Sequence, residues 1–315
     1  MEYKTTIVDG DSFRIVDSKG GVTMADSFVK GPQKLGKGHG EGKLFLATEG
    51  PEIRSFAGEK GFVLRCFFKK SELISFLESL EHEYMHPQLN YRKVEDLPSL
   101  YTSRLRKLEN LEGEYHWFEM NEQTQLKPPR IYVNSSDPVY ALMRELSLPG
   151  FSYLSLMKLE GENNAEIFHA RLFASGLSLR DSQDSSDESV GIQVQRKGQP
   201  QFRKEVLGMC SCCPITNVDD PMILIAAHIK PFNDSALREK YNPLNGIPMT
   251  PTVHALFDAG MITIDSDQKL LISSWLSKDT AEKLGLVDGK QLNIKSFEKR
   301  KEYFDFRLHK IFKST

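Results

Sequence analysis

The sequence predicts an α+β protein built from two domains in series. Three features predict it. Short apolar runs with strand character alternate with helical patterns in the first 180 residues. A polar acidic stretch interrupts the apolar periodicity near residue 185. Behind it comes an ordered strand–loop–strand–helix pattern.

The boundary follows from composition. Residues 181–190 carry four acidic side chains and one hydrophobe. Such a stretch buries too little apolar surface to offset the entropy of ordering it. The expected organisation is therefore a first domain over 1–180, an acidic serine-rich linker over 181–195 and a second domain over 196–315.

Charge divides in the same place. The chain has a net charge of −2, while residues 196–315 hold 18 Lys and Arg against 14 Asp and Glu. The second domain is thus +4 and the remainder −6. A mildly basic unit suits a polyanionic partner without identifying one. No run of about 18 apolar residues crosses a membrane. The amino terminus lacks a secretory pattern, and four cysteines make no disulfide framework, so a reduced, cytoplasmic protein is expected.

In the first domain, Lys43-Leu-Phe-Leu-Ala47 and Gly61-Phe-Val-Leu-Arg-Cys-Phe-Phe68 read as strands. Ser71–His82 places Leu73, Phe76, Leu77 and Leu80 on one helical face. Leu100–Leu111 repeats the pattern, with Arg104, Arg106 and Lys107 assigned to its exposed face. Phe151–Leu159 and Ile167–Phe173 again read as strands. The glycine-rich run from Lys30 to Gly40 is a surface loop, either simply flexible or in contact with DNA.

In the second domain, Arg196-Lys-Gly-Gln-Pro-Gln-Phe-Arg203 leads into a short helix through Phe202, Val206 and Leu207. The apolar run Met222–Ala227 predicts a buried strand that projects His228 from its end. Asn245-Gly246 is a turn opening a second strand. Pro251 fits the first turn of a helix with Thr250 as its N-cap, and Gly260 fits the position just past its end. His254 and Asp258, four residues apart, then share one helical face.

These groups suit phosphodiester hydrolysis. A neutral imidazole takes a proton from water near pH 7. A divalent cation on an imidazole–carboxylate pair polarises a phosphate and stabilises charge on a leaving oxygen.

The blocks Ala227-His-Ile-Lys-Pro-Phe232, Asn245-Gly-Ile247 and Phe257-Asp-Ala-Gly-Met-Ile262 resemble the HNH, or ββα-metal, nucleases. Specifically, they resemble a bacterial restriction-type group with an Ala/Ser-His-Ile-Lys-Pro strand end. The resemblance covers roughly residues 196–312. It implies His228 as general base, Asn245 orienting that base and its loop, and His254 with Asp258 on Mg²⁺ or Mn²⁺. Where many such nucleases carry Asp or His as a further ligand, this chain has Ala227. Zinc-stapled members carry two Cys-x-x-Cys pairs. Here Cys210 and Cys213 stand alone, with Thr250 and Val253 in the second pair's places, so no four-cysteine zinc site is expected.

The resemblance implies double-stranded DNA as partner, with Lys230, Arg203, Arg104, Arg106 and Lys107 as candidate contacts. A first domain reading a short or modified site would make a restriction endonuclease. One sensing a small molecule or partner protein would make an effector nuclease, and a dead centre would leave a DNA-binding module. A palindromic target would match a homodimer. His82, His86, His116, His169 and His309 show no partner spacing.

Overall fold

The computed structural model describes residues 4–24, 42–45, 51–86, 97–124, 130–133, 137–148, 152–174 and 199–315. The linker at 181–195, the glycine-rich run at 30–40 and the start of the Arg196–Arg203 block lie outside them. The fold is mixed α+β, and its contacts divide the chain into two compact units, Met1–Asp184 and Ser185–Thr315.

The first unit holds strands β1 (Thr5–Val8), β2 (Asp11–Met24), β3 (Gly42–Phe45), β4 (Val63–Lys69), β5 (Tyr115–Gln123), β6 (Arg130–Val133), β7 (Ser152–Glu160) and β8 (Glu166–Ala174). The order β1-β2-β3-β6-β5-β4-β8-β7 is closed by a further β2–β7 pairing, so seven strands run in a circuit and β1 hangs on β2. Strand β2 accomplishes this with two register shifts, at Ile15/Asp17 and Lys19/Val22. Bulges of that kind bend and coil a long strand, so that one end pairs with β7 and the other with both β7 and β3. All pairings are antiparallel except β4–β8.

Among the described residues, five helices accompany the sheet: α1 (Pro51–Ala57), α2 (Lys70–Ser79), α3 (Glu81–Met85), α4 (Leu97–Glu109) and α5 (Pro138–Leu146). Leu73, Phe76, Leu77 and Leu80 are buried, as their spacing predicts, with Leu64, Cys66 and Phe68 of β4 and Phe118 and Met120 of β5. Arg104 corrects the assignment of α4's exposed face. It is 5 % exposed, and its guanidinium bonds the Tyr84 hydroxyl and lies against the Tyr84 ring. Arg106 and Lys107 are exposed, and Lys107 pairs with Glu145 at 2.6 Å.

The second unit contains α6 (Gln199–Met209), β9 (Ile225–His228), β10 (Gly246–Met249), α7 (Pro251–Asp258), β11 (Ile262–Ile264), β12 (Leu270–Ile272), α8 (Lys278–Lys283) and α9 (Lys301–Lys310). Strands β9 and β10 form an antiparallel pair with His228 opposite Gly246; β11 and β12 form another. Ala227, Ile229, Ile247, Met249, Val253, Phe257, Ile262 and Phe304 join one core. Helix α7 starts on Pro251 and stops before Gly260, whose φ of 70° is the left-handed conformation glycine adopts freely. A Cβ there would sit 2.3 Å from the carbonyl oxygen of Ile311. Thr250 is the N-cap residue, although its side chain makes no cap hydrogen bond. No helix among the described residues is long and apolar enough to cross a membrane.

Candidate active site

Strand β9 is shorter than its apolar run predicts. Asp220 breaks the run by accepting the amide of Met222 on its carboxylate at 2.9 Å and that of Ile223 on its carbonyl at 3.2 Å. The chain turns there, and Met222 is left 89 % exposed. Four residues remain, the last of them His228. Arg203, a candidate DNA contact, braces this turn: its guanidinium donates to the carbonyls of Pro221, at 2.6 Å, and Leu224.

His228 is held on several sides. Its ring stacks on Phe202 with centroids 4.4 Å apart and planes 5° from parallel, and Phe232 meets it edge-on at 5.5 Å. Nε2 lies 2.8 Å from the carbonyl oxygen of Lys240. A carbonyl only accepts, so the neutral ring carries its proton on Nε2, and Nδ1 is the basic nitrogen.

Asn245 is fully buried and ties down the loop that supplies that carbonyl. Its Oδ1 accepts the Lys230 amide at 2.8 Å. Its Nδ2 donates to the Lys230 carbonyl at 3.1 Å, the Ser235 hydroxyl at 3.1 Å and the Glu239 carbonyl at 3.4 Å. One amide thus joins both ends of the 230–239 loop, one residue short of Lys240. Lys230, another candidate DNA contact, is engaged with Glu239 at 2.8 Å and lies over the Phe306 ring.

On α7, His254 Nε2 and Asp258 Oδ2 are 3.0 Å apart, with side chains 28 % and 30 % exposed. The helical spacing thus yields a solvent-reachable imidazole–carboxylate pair. Arg307 of α9 approaches the other oxygen of Asp258 at 3.7 Å. An imidazole nitrogen and a carboxylate oxygen are a donor set that a divalent cation accepts. Among the described residues no three His, Cys, Asp or Glu side chains converge, and Ala227 is buried in the core. The pair therefore fits an ion that keeps most of its positions for water and phosphate oxygens.

The cysteines lie elsewhere. Cys213 is buried in the core, and Cys210 rests 3.7 Å from the guanidinium of the buried Arg300, which also bonds the carbonyls of Pro243, Leu244 and Gly246. Arg300 and Arg307 escape sequence reasoning because their partners are mostly backbone carbonyls, which leave no side-chain spacing to read.

Residues 213–265, which span β9, β10, α7 and β11, match a family model described as HNH endonuclease. No curated protein matches the chain.

Proposed function

We propose that the HNH nuclease domain in the C-terminal unit is the cutting half of a DNA endonuclease of restriction type, with His228 as its general base. The match over residues 213–265 carries the nuclease class. The observation that supports the base is the bond from Nε2 to the Lys240 carbonyl. It commits Nε2 to orientation, so that Nδ1 is the basic nitrogen that would take the proton of the attacking water.

The stack on Phe202 opposes rotation of the imidazole, and Asn245 keeps the Lys240 carbonyl in place by clamping its loop. Holding the base in one orientation before substrate arrives removes an entropic cost from the reaction step. His254 and Asp258 would hold Mg²⁺ or Mn²⁺, which supplies charge stabilisation for the phosphate and leaving oxygen. The N-terminal unit is the recognition half, reading a short or modified duplex site that the compact nuclease unit has little surface to read, and a homodimer would cut both strands.

The test incubates the full chain with unmodified and cytosine-modified plasmids and Mg²⁺ or Mn²⁺. Discrete fragments from one substrate are expected; a smear from both favours an effector nuclease. His228→Ala should lower cleavage by about three orders of magnitude and leave DNA binding in a gel shift intact. Cleavage near the wild-type rate by that variant removes the general-base assignment.

A further inference from the structure

Arg307 joins the two halves of the nuclease site. It sits on α9, outside the segment matched by the family model, and its side chain is 0 % exposed. Nη1 donates to the carbonyl of Ile229 at 2.8 Å, and Nη2 donates to the carbonyl of Phe257. The guanidinium carbon lies 3.4 Å from the centroid of the Phe257 ring. Nη2 also approaches Asp258 Oδ1 at 3.7 Å.

The placement of these partners is the informative feature. Ile229 directly follows the base, His228, and Phe257 directly precedes Asp258. One rigid fork thus grips the strand that carries the base and the helix that carries the metal pair, one residue from each functional side chain. It also engages the Asp258 oxygen that does not face His254; Oδ2 is the oxygen 3.0 Å from His254 Nε2. A planar guanidinium can serve several acceptors in fixed directions, whereas an ammonium presents one compact charge on a flexible stem.

We infer that Arg307 is a positioning residue of the nuclease site. It fixes the spacing between β9 and α7 and turns Asp258 so that Oδ2 stands beside His254 as a single-oxygen ligand. The inference rests on the nuclease reading above. Its consequence is that a buried cation sharing the ligand carboxylate tunes the affinity of the ion, although it never touches that ion.

The experiment measures Mn²⁺ binding to the full chain without DNA, by the paramagnetic resonance signal of free Mn²⁺. Wild type is compared with Arg307→Lys, which keeps the charge and loses the fork, at a temperature where circular dichroism shows both folded. An affinity about tenfold weaker is expected, the usual size of effect when a ligand's orienting partner is lost. Unchanged affinity in folded Arg307→Lys overturns the inference, because a purely structural role would lower the melting temperature alone.

If Arg307→Lys does not fold, Phe257→Leu removes the ring under the guanidinium and leaves every donor in place. A smaller loss of Mn²⁺ affinity supports the inference, and none overturns it. His254→Ala separates the two readings. If it abolishes binding while Arg307→Lys does not, only the role of Arg307 falls. If it binds Mn²⁺ as wild type does, the ion is not at this pair and both readings fall.

Discussion

Each unit contains a histidine–carboxylate–arginine triad, and the two differ mainly in their access to solvent. In the first unit Glu72 takes His169 on one oxygen at 2.7 Å and Arg171 on the other at 3.2 Å, with side chains 12 %, 2 % and 15 % exposed. In the second, Asp258 takes His254 at 3.0 Å and Arg307 at 3.7 Å, and the imidazole and carboxylate stand about twice as open as Glu72 or more. The first triad is sealed by Phe67, whose ring stacks on His169 at 4.7 Å. The second opens its imidazole and carboxylate to water. Chemically alike groups thus make a sealed brace in one place and a solvent-reachable pair, the proposed metal site, in the other, and the difference is access from solvent.

That contrast breaks first, and most visibly, on cleavage. Asp258→Asn is expected to reduce plasmid cleavage by about a hundredfold, since it removes the carboxylate proposed as a metal ligand. Glu72→Gln should leave the rate per folded molecule unchanged. Loss of cleavage in well-folded Glu72→Gln would show that the sealed triad is no mere brace.

Stability is the next measure. Glu72→Gln leaves Arg171 and His169 in a buried setting without their anion, at a cost of about 3 kcal/mol. Urea unfolding followed through Trp117 in a Trp275→Phe background reads the first unit, because these are the two tryptophans of the chain. A cost below about 0.5 kcal/mol would mean that solvent reaches the triad after all.

The smallest effect is on pH. Burial drives His169 below its ordinary 6.5, against the opposing pull of Glu72. Burial pushes Glu72 up, but its bond and charge contact with His169 and the charge of Arg171 outweigh that and hold it below 4.5. Both groups therefore bind protons more readily in the unfolded chain. The stability that this pair contributes is complete above pH 6.5, begins to fall below it as unfolded His169 protonates, and falls further below 4.5. His169→Gln should flatten the upper part of this slope, read as the melting temperature by Trp117 fluorescence between pH 7.5 and 5. An unchanged slope would assign the acid sensitivity to other groups.

Much of the second unit was legible because its signals are local. Proline at the first turn, glycine after the last and the i, i+4 spacing of His254 and Asp258 describe α7 directly. Strand β9 starts three residues later than its apolar run because Asp220 holds the chain in a turn with a side-chain bond that hydropathy does not register. Arg104 departs from the exposed face that its charge suggests because Tyr84 offers it a hydroxyl and a ring indoors. His169 showed no partner in sequence because Glu72 is 97 residues away. The closed circuit of strands has the same origin: β2 meets β7 only through the tertiary fold, over more than 120 intervening residues.

Gly246 lies directly across the ladder from His228. A single methyl group there would stand 2.7 Å from the Phe202 ring and 2.3 Å from Val206. The ring that would have to yield is the one against which the imidazole lies flat. The tilt of the imidazole proposed as the base is therefore governed by an absent side chain, and a lesion that no ligand touches would disturb that ring from behind.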